Sequence, residues 1–274
     1  KGYQWPFDAR KVLGGSSIVD ILVYIETVLR GRRVFLDFRS NPEEFSFDGL
    51  SDEAAQYLEK SGARQGTPLE RLRHMNPGAI ELYGEHGIDL ESEPLEVAVC
   101  AQHNNGGLAA NHWWESVNIG HLFPVGEVNG SHGIYRPGGS ALNSGQAGAF
   151  RAAEFIANRY REKSLPDGVA GKCAIEAAKE IVGWCENARQ AEVSWEADRA
   201  ELQERMTRAG AHIRSQREIV TAVSEAWKQH ERINASGSGF ADNAGLVEAL
   251  KNRYLCLAHA VYLEAVQFAL ASGV

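Results

Sequence analysis

No stretch of this 274-residue sequence holds the roughly 18 consecutive apolar residues of a membrane span. Basic residues are outnumbered: Lys plus Arg is 28 against 36 Asp plus Glu, a net charge of −8. A mildly acidic protein does not attract DNA or RNA through its overall field, so nucleic acid is excluded as the main partner. Cysteine is scarce, and Cys100, Cys173, Cys185 and Cys256 include no Cys-x-x-Cys pair. That excludes a zinc site and a disulfide frame, and leaves small, buried, reduced thiols of a cytoplasmic protein. Nowhere does a strand lead into Gly-x-Gly-x-x-Gly and a helix, so the usual pyrophosphate cradle of a dinucleotide fold is missing. Gly14-Gly15-Ser16-Ser17 is the nearest approach, and nothing strand-like precedes it.

What remains is enough for one large or two ordinary domains with a real core: 44% hydrophobic and 23% charged residues. The chain opens KGYQWPFDAR without an initiator Met and closes AVQFALASGV inside a helical pattern. Both ends read as cut from something longer.

Three compositional parts follow one another. Residues 1–94 are mixed. Ser16–Leu29 predicts a helix begun by a serine pair, and Arg32–Phe38 predicts a short strand. Ser51–Ser61, Thr67–His74 and Pro77–Glu85 predict short helices from their start signals. Residues 95–162 form a strand and glycine core. Leu95–Gln102, Leu108–Asn111 and His121–Val128 read as strands, and Ala141–Arg161 as the helix after them. Residues 163–274 read as all helix, broken by NASGSGFADNAG, a flexible connector by composition. Charges such as Glu201, Glu204, Arg205 and Arg208 read as solvated helix faces, or as the docking surface of a partner.

The chemistry concentrates in the middle part. SHGIYRPGGSALNSGQAG puts Arg136 on a glycine-rich loop that opens a helix. Such a loop offers unpaired N–H groups and the positive end of a helix dipole to an electron-rich group. Arg136 adds a forked cation suited to a carboxylate. A plain turn and helix cap uses the same residues. Upstream, AQHNNGGLAAN places His103 before a second glycine turn, and HLFPVGEVNG ends an apolar segment in Gly126-Glu127. A carboxylate at a strand end is suited to sugar hydroxyls. A histidine such as His103, taken alone, is as well read as a structural hydrogen-bonder. His112-Trp113-Trp114 reads as packing, with a stacking platform as the alternative.

In this order, HNNGG, HLFPVGE and HGIYRPGGSAL resemble the C-terminal flavin-binding stretch of the fumarate reductase/succinate dehydrogenase flavoprotein family. The resemblance implies an α+β fold with a helical C-terminal part. Residues 1–94 would be capping domain, 95–162 the C-terminal portion of a Rossmann-like FAD-binding domain, and 163–274 the helical domain. It implies an FAD-dependent oxidoreductase that passes hydride between flavin and a small anionic substrate. Glu127 would bind FAD hydroxyls, and Gly138, Gly139, Ser140, Ala141 and Leu142 would set N–H groups against the flavin pyrimidine edge. His103 and Arg136 would hold the substrate anion, and His132 would either approach the flavin or brace the loop. Ser16 and Ser17 stand where that family carries a proton-shuttling Arg-Asp pair, so no residue is matched to the proton donor. Implied partners are the remainder of the chain or a second flavoprotein subunit, an iron–sulfur electron-transfer subunit, or a second copy in a homodimer. The alternative reading is a non-catalytic helical assembly module or one subunit of a split flavoprotein complex, with the fragment alone inactive in either case.

Overall fold

A computed structural model describes residues 8–100, 103, 105–132, 140–160 and 168–273. The chain divides into two compact units, Lys1–Arg161 and Glu162–Val274. Helix dominates both, and the strands among the described residues form one two-stranded sheet.

In the first unit, helix α1 (Ile18–Tyr24) runs on into a π-helical turn at Ile25–Leu29. Its serine pair does not cap it. Ser17 makes no side-chain cap bond. It is fully buried, and its Oγ accepts the Asp8 N–H at 3.0 Å. Strand β1 (Val34–Leu36) pairs antiparallel with β2 (Leu95–Val97). Arg33 forks onto Glu96 across the pair at 2.9 and 2.7 Å. Helices α2 (Asp52–Lys60), α3 (Pro68–Met75) and α4 (Pro77–Glu85) lie between the strands. Ser51 caps α2, and Thr67 with Glu70 forms a capping box on α3, as the local signals predict.

The remaining strand expectations are corrected. Leu95–Gln102 shrinks to β2, with residues 101 and 102 outside the described ones. Leu108–Asn111 makes only single bridges at Leu108 and Ala110. His121–Val128 begins in a turn at His121 and ends in a 3-10 turn at Gly126–Val128, with no strand between them. A strand needs a partner ladder along its length, and Pro124 has no N–H to give one.

Helix α5 (Ser140–Arg159) is the spine of this region, with Gly148 and Ala152 buried. A Cβ on Gly148 would lie 2.1 Å from the Trp114 ring, so only glycine lets the indole rest on the helix. Trp113 stacks on Phe155 at 5.5 Å. Glu115 accepts the Tyr160 hydroxyl and also the His121 N–H at 2.9 Å. Trp114 and His121, which flank this carboxylate, both take φ of 65°. The pair of tryptophans is therefore packing, wrapped over α5.

The second unit holds α6 (Val169–Arg189), α7 (Trp195–Arg205), a π turn at Met206–Gly210, α8 (Gln216–Ser236) and α9 (Asn243–Ala271). Serine or aspartate caps α7, α8 and α9. Ala222, Ala226 and Ala260 are fully buried, which lets α8 and α9 approach closely around Ile219 and Leu263. By length and composition α9 is apolar enough to cross a bilayer, a property its interrupted apolar runs conceal. Here its inner face, with Asn252 and His259, is buried in the unit.

Two further expectations are overturned in this unit. The supposed flexible connector is part of the core. Ser238 is fully buried and donates to Asp198 at 2.5 Å, while Gly239 donates to the Val193 carbonyl at 2.7 Å and accepts from Trp195 at 2.9 Å. Small residues admit the backbone there, and its polar groups find partners. Arg205 is not on a solvated face: it is 4% exposed, donates to Gln229 at 2.8 Å and reaches Glu201 and Glu225. Asp198 is fully buried and accepts from Arg232 at 2.5 Å. Nor are the cysteines uniformly buried. Cys100 and Cys173 are exposed, while burial pushes the Cys256 thiol up to about 11.

Two predictions follow from this core. Asp198→Ala strips the acceptor from Arg232 and Ser238, and should lower the unfolding free energy by about 3 kcal/mol in urea titration. Burial, with Arg205 nearby, lowers His259 to about 4, so the folded unit needs it neutral. The unfolded chain protonates it near its ordinary value of about 6.5. Stability from this group is therefore full above that value and is lost as pH falls toward 4. The wild-type thermal midpoint should fall more steeply over that window than that of His259→Gln.

Candidate functional site

Two loop segments of the first unit are clamped together backbone to backbone. Leu108 N–H donates to the Val128 carbonyl at 2.8 Å, and Gly130 N–H donates to the Leu108 carbonyl at 2.9 Å. Gly107 makes this contact possible. Its φ is +143°, and a Cβ there would stand 2.3 Å from the Val128 oxygen. Asn129 is buried and fixes the second segment from within. Its Nδ2 donates to the Pro124 carbonyl at 2.9 Å, and its Oδ1 accepts from Ser131 N–H at 2.8 Å. The Asn-Gly turn at 129–130 is a legible signal that sequence reasoning passed over.

The clamp brings three titratable side chains into one line. Nδ1 of His103 lies 2.9 Å from Oε2 of Glu127. Nε2 of the same ring lies 3.3 Å from Nδ1 of His132. The His103 side chain is 15% exposed and that of Glu127 is 51% exposed. Sequence reasoning selected His103 and Glu127 separately. It did not foresee that they bond to each other, or that His132 closes the row, because these contacts join residues far apart in the chain.

The first turns of α5 adjoin this row. Gly145 packs against Gly126, the neighbour of Glu127. Ser140, Ala141 and Leu142 are the first described residues of the 20-residue helix α5. Leu142 is 79% exposed. Arg136, Gly138 and Gly139, with Tyr135 and Pro137, lie outside the described residues. Ser16 and Ser17 belong to the α1 start, and Ser17 is spent on the Asp8 backbone. Among the described residues no cluster of His, Cys, Asp and Glu is arranged to hold a metal ion.

No family model matches the chain. It is 27% identical over 255 residues to a subunit of the fumarate reductase (CoM/CoB) of Methanothermobacter marburgensis, across 89% of this chain and 40% of that protein. It is 46% identical over 77 residues to an uncharacterized FAD-dependent oxidoreductase of Methanocaldococcus jannaschii, across 26% of this chain and 14% of that one. In fold it is similar to Mycobacterium smegmatis Sdh1, with a TM-score of 0.62 to the apo form and 0.58 to the complex with UQ1. Each match has 21% identity and covers 87% of this chain and 43% of that one. The chain resembles the fumarate reductase/succinate dehydrogenase flavoproteins. It spans less than half the length of the flavoprotein relatives it matches. Among the described residues of the motifs that carry the sequence resemblance, His103 lies against Glu127 and His132. Of the expected architecture, the chain shows the helical content and a small sheet.

Gly107→Ala tests the clamp. The added methyl would strike the Val128 carbonyl in a backbone conformation alanine avoids, and should cost about 2 kcal/mol. The chemical shifts of His103 and His132 should move together in this variant, while those of α9 stay in place.

Proposed function

We propose that this chain is the C-terminal part of an FAD-dependent oxidoreductase of the fumarate reductase/succinate dehydrogenase flavoprotein kind. It would move hydride between flavin and a small anionic substrate. The observation that carries this reading is the adjacency of Glu127, His103 and the start of α5 in one place.

The residues present fit FAD. A half-exposed carboxylate at Glu127 is suited to the hydroxyls of a ribityl or ribose chain. On this reading the N–H groups of Gly138, Gly139, Ser140, Ala141 and Leu142 would face a ring edge, where the positive end of a helix dipole favours negative charge. FAD, when bound, supplies the hydride-carrying centre. On this reading His103 and Arg136 would form the anion-facing side, because a guanidinium and an imidazole are suited to orienting a carboxylate and polarising the bond to be reduced.

The same reading divides the chain into a capping portion at 1–94, a flavin-binding portion at 95–162 and a helical portion at 163–274. It makes the rest of the flavoprotein, in the same chain or in a second subunit, the partner that completes the cofactor site. An iron–sulfur subunit is the electron-transfer partner in this scheme. That the Methanothermobacter relative is one subunit of its enzyme supports an assembly of this type. Free cysteines support a reducing, cytoplasmic setting.

Quenching of FAD fluorescence on titration with the protein tests the reading. Glu127→Ala should weaken FAD binding at least tenfold, while Glu204→Ala on the exposed face of α7 leaves it unchanged. Equal affinity of wild type and Glu127→Ala would overturn the assignment, while no quenching by the chain alone would mean that the rest of the flavoprotein is needed to complete the site.

A further inference from the structure

Helix α9 carries two seams. The inner one runs through Ala249, Asn252, Cys256, His259, Leu263 and Val266 in alternating steps of three and four residues, and is buried in the helical unit. That is the spacing with which one helix packs along another. The outer face repeats it. Val247, Tyr254, Val261 and Phe268 stand seven residues apart and are between 51% and 75% exposed. Lys251, Ala258 and Ala265 fall between them and are exposed too, so steps of four and three run unbroken from Val247 to Phe268. Leu255 and Leu257 flank the stripe, each 41% exposed. At 1.5 Å per residue the outer seam is about 32 Å long. Apolar residues scattered singly over a surface need no explanation, but a continuous stripe of this kind marks an interaction site.

The residues of the seam select a second copy of the same helix. In a parallel pair like positions meet. Ala258 would face Ala258, Phe268 would face Phe268, and Lys251 would face Lys251, which leaves gaps and sets two cations together. In an antiparallel pair the small positions of one helix face the large positions of the other. Ala258 and Ala265 then pack against the rings and branched chains of the second copy, so the seam is its own complement. The charges are arranged in the same sense. Lys251 and Glu264 stand at equal distances on either side of the midpoint of the seam, between Leu257 and Ala258. An antiparallel pair therefore brings Lys251 of each copy within about one helical turn of Glu264 of the other. Both groups are already oriented within their own copy, Lys251 by Glu248 at 2.5 Å and Glu264 by Nε1 of Trp227 at 2.9 Å.

We propose that the outer seam of α9 is a homodimer interface, in which α9 of one copy packs antiparallel on α9 of a second about a two-fold axis near Leu257 and Ala258. It rests on the helical unit alone and is independent of the flavin reading.

Sedimentation equilibrium of the 274-residue chain tests this. The wild type should dimerise. Val261→Lys, which would bury an unpaired charge, should weaken association about 100-fold or more, with helicity by circular dichroism unchanged. Lys251→Glu and Glu264→Lys should each weaken it about fivefold. The two changes together should restore it. The bonds to Glu248 and Trp227 are lost in the double variant as in the singles, so recovery comes only from reversed charges that meet across the two-fold. A folded wild-type monomer overturns the proposal, and cosedimentation of that monomer with phosphatidylcholine vesicles would make the seam a lipid-facing surface instead. A dimer that survives Val261→Lys, or a double variant as weak as the single ones, overturns it as well.

Discussion

The approach of Gly107 to the Val128 carbonyl is the contact on which the candidate site depends. It places two backbones closer than any side chain at position 107 permits. With that gap closed, the Leu108 N–H donates to the Val128 carbonyl, the Gly130 N–H donates to the Leu108 carbonyl, and buried Asn129 donates to the Pro124 carbonyl. His103 then lies 2.9 Å from Glu127 and 3.3 Å from His132. The chemistry of this region is thus set by backbone geometry first and by side-chain identity second. A site built on loops gains its precision from such a clamp, where a sheet would otherwise supply it.

The helical unit solves a different problem. Its alanine-rich faces bring α8 and α9 close but offer little shape to fix their register. Asp198, Arg232, Ser238 and Asn252 supply that, because each buried polar group accepts only the partner it has. Arg205 does the same between Gln229, Glu201 and Glu225. Buried ion pairs add little net stability over apolar packing, but breaking one is expensive. The network therefore narrows the set of packings rather than deepening the well.

Local signals were legible and non-local ones were not. Ser51, Thr67 with Glu70, and Pro77 each act within one helical turn, and α2, α3 and α4 start where they indicate. Helix α5 follows its apolar pattern in the same way. Strand character at His121–Val128 was residue type without a partner, and Pro124 broke any ladder it could join. Arg205 sits among charges at ordinary helical spacing, and only the packing of α8 against it distinguishes a buried guanidinium from a solvated one. For the site, the glycine turns and the carboxylate were readable as separate pieces. Their meeting, and the place of His132 beside His103, came from a clamp between residues some twenty positions apart. The connector at 234–245 shows the converse: a composition typical of flexible linkers also suits backbone that must pass through a core.

Native-state amide exchange of Leu108 and Gly130 tests the clamp most directly. If it holds the site, both amides exchange slowly, at matched rates, and slow further together when FAD is added. Exchange of either amide at the rate of an unstructured peptide, with or without FAD, would contradict the account.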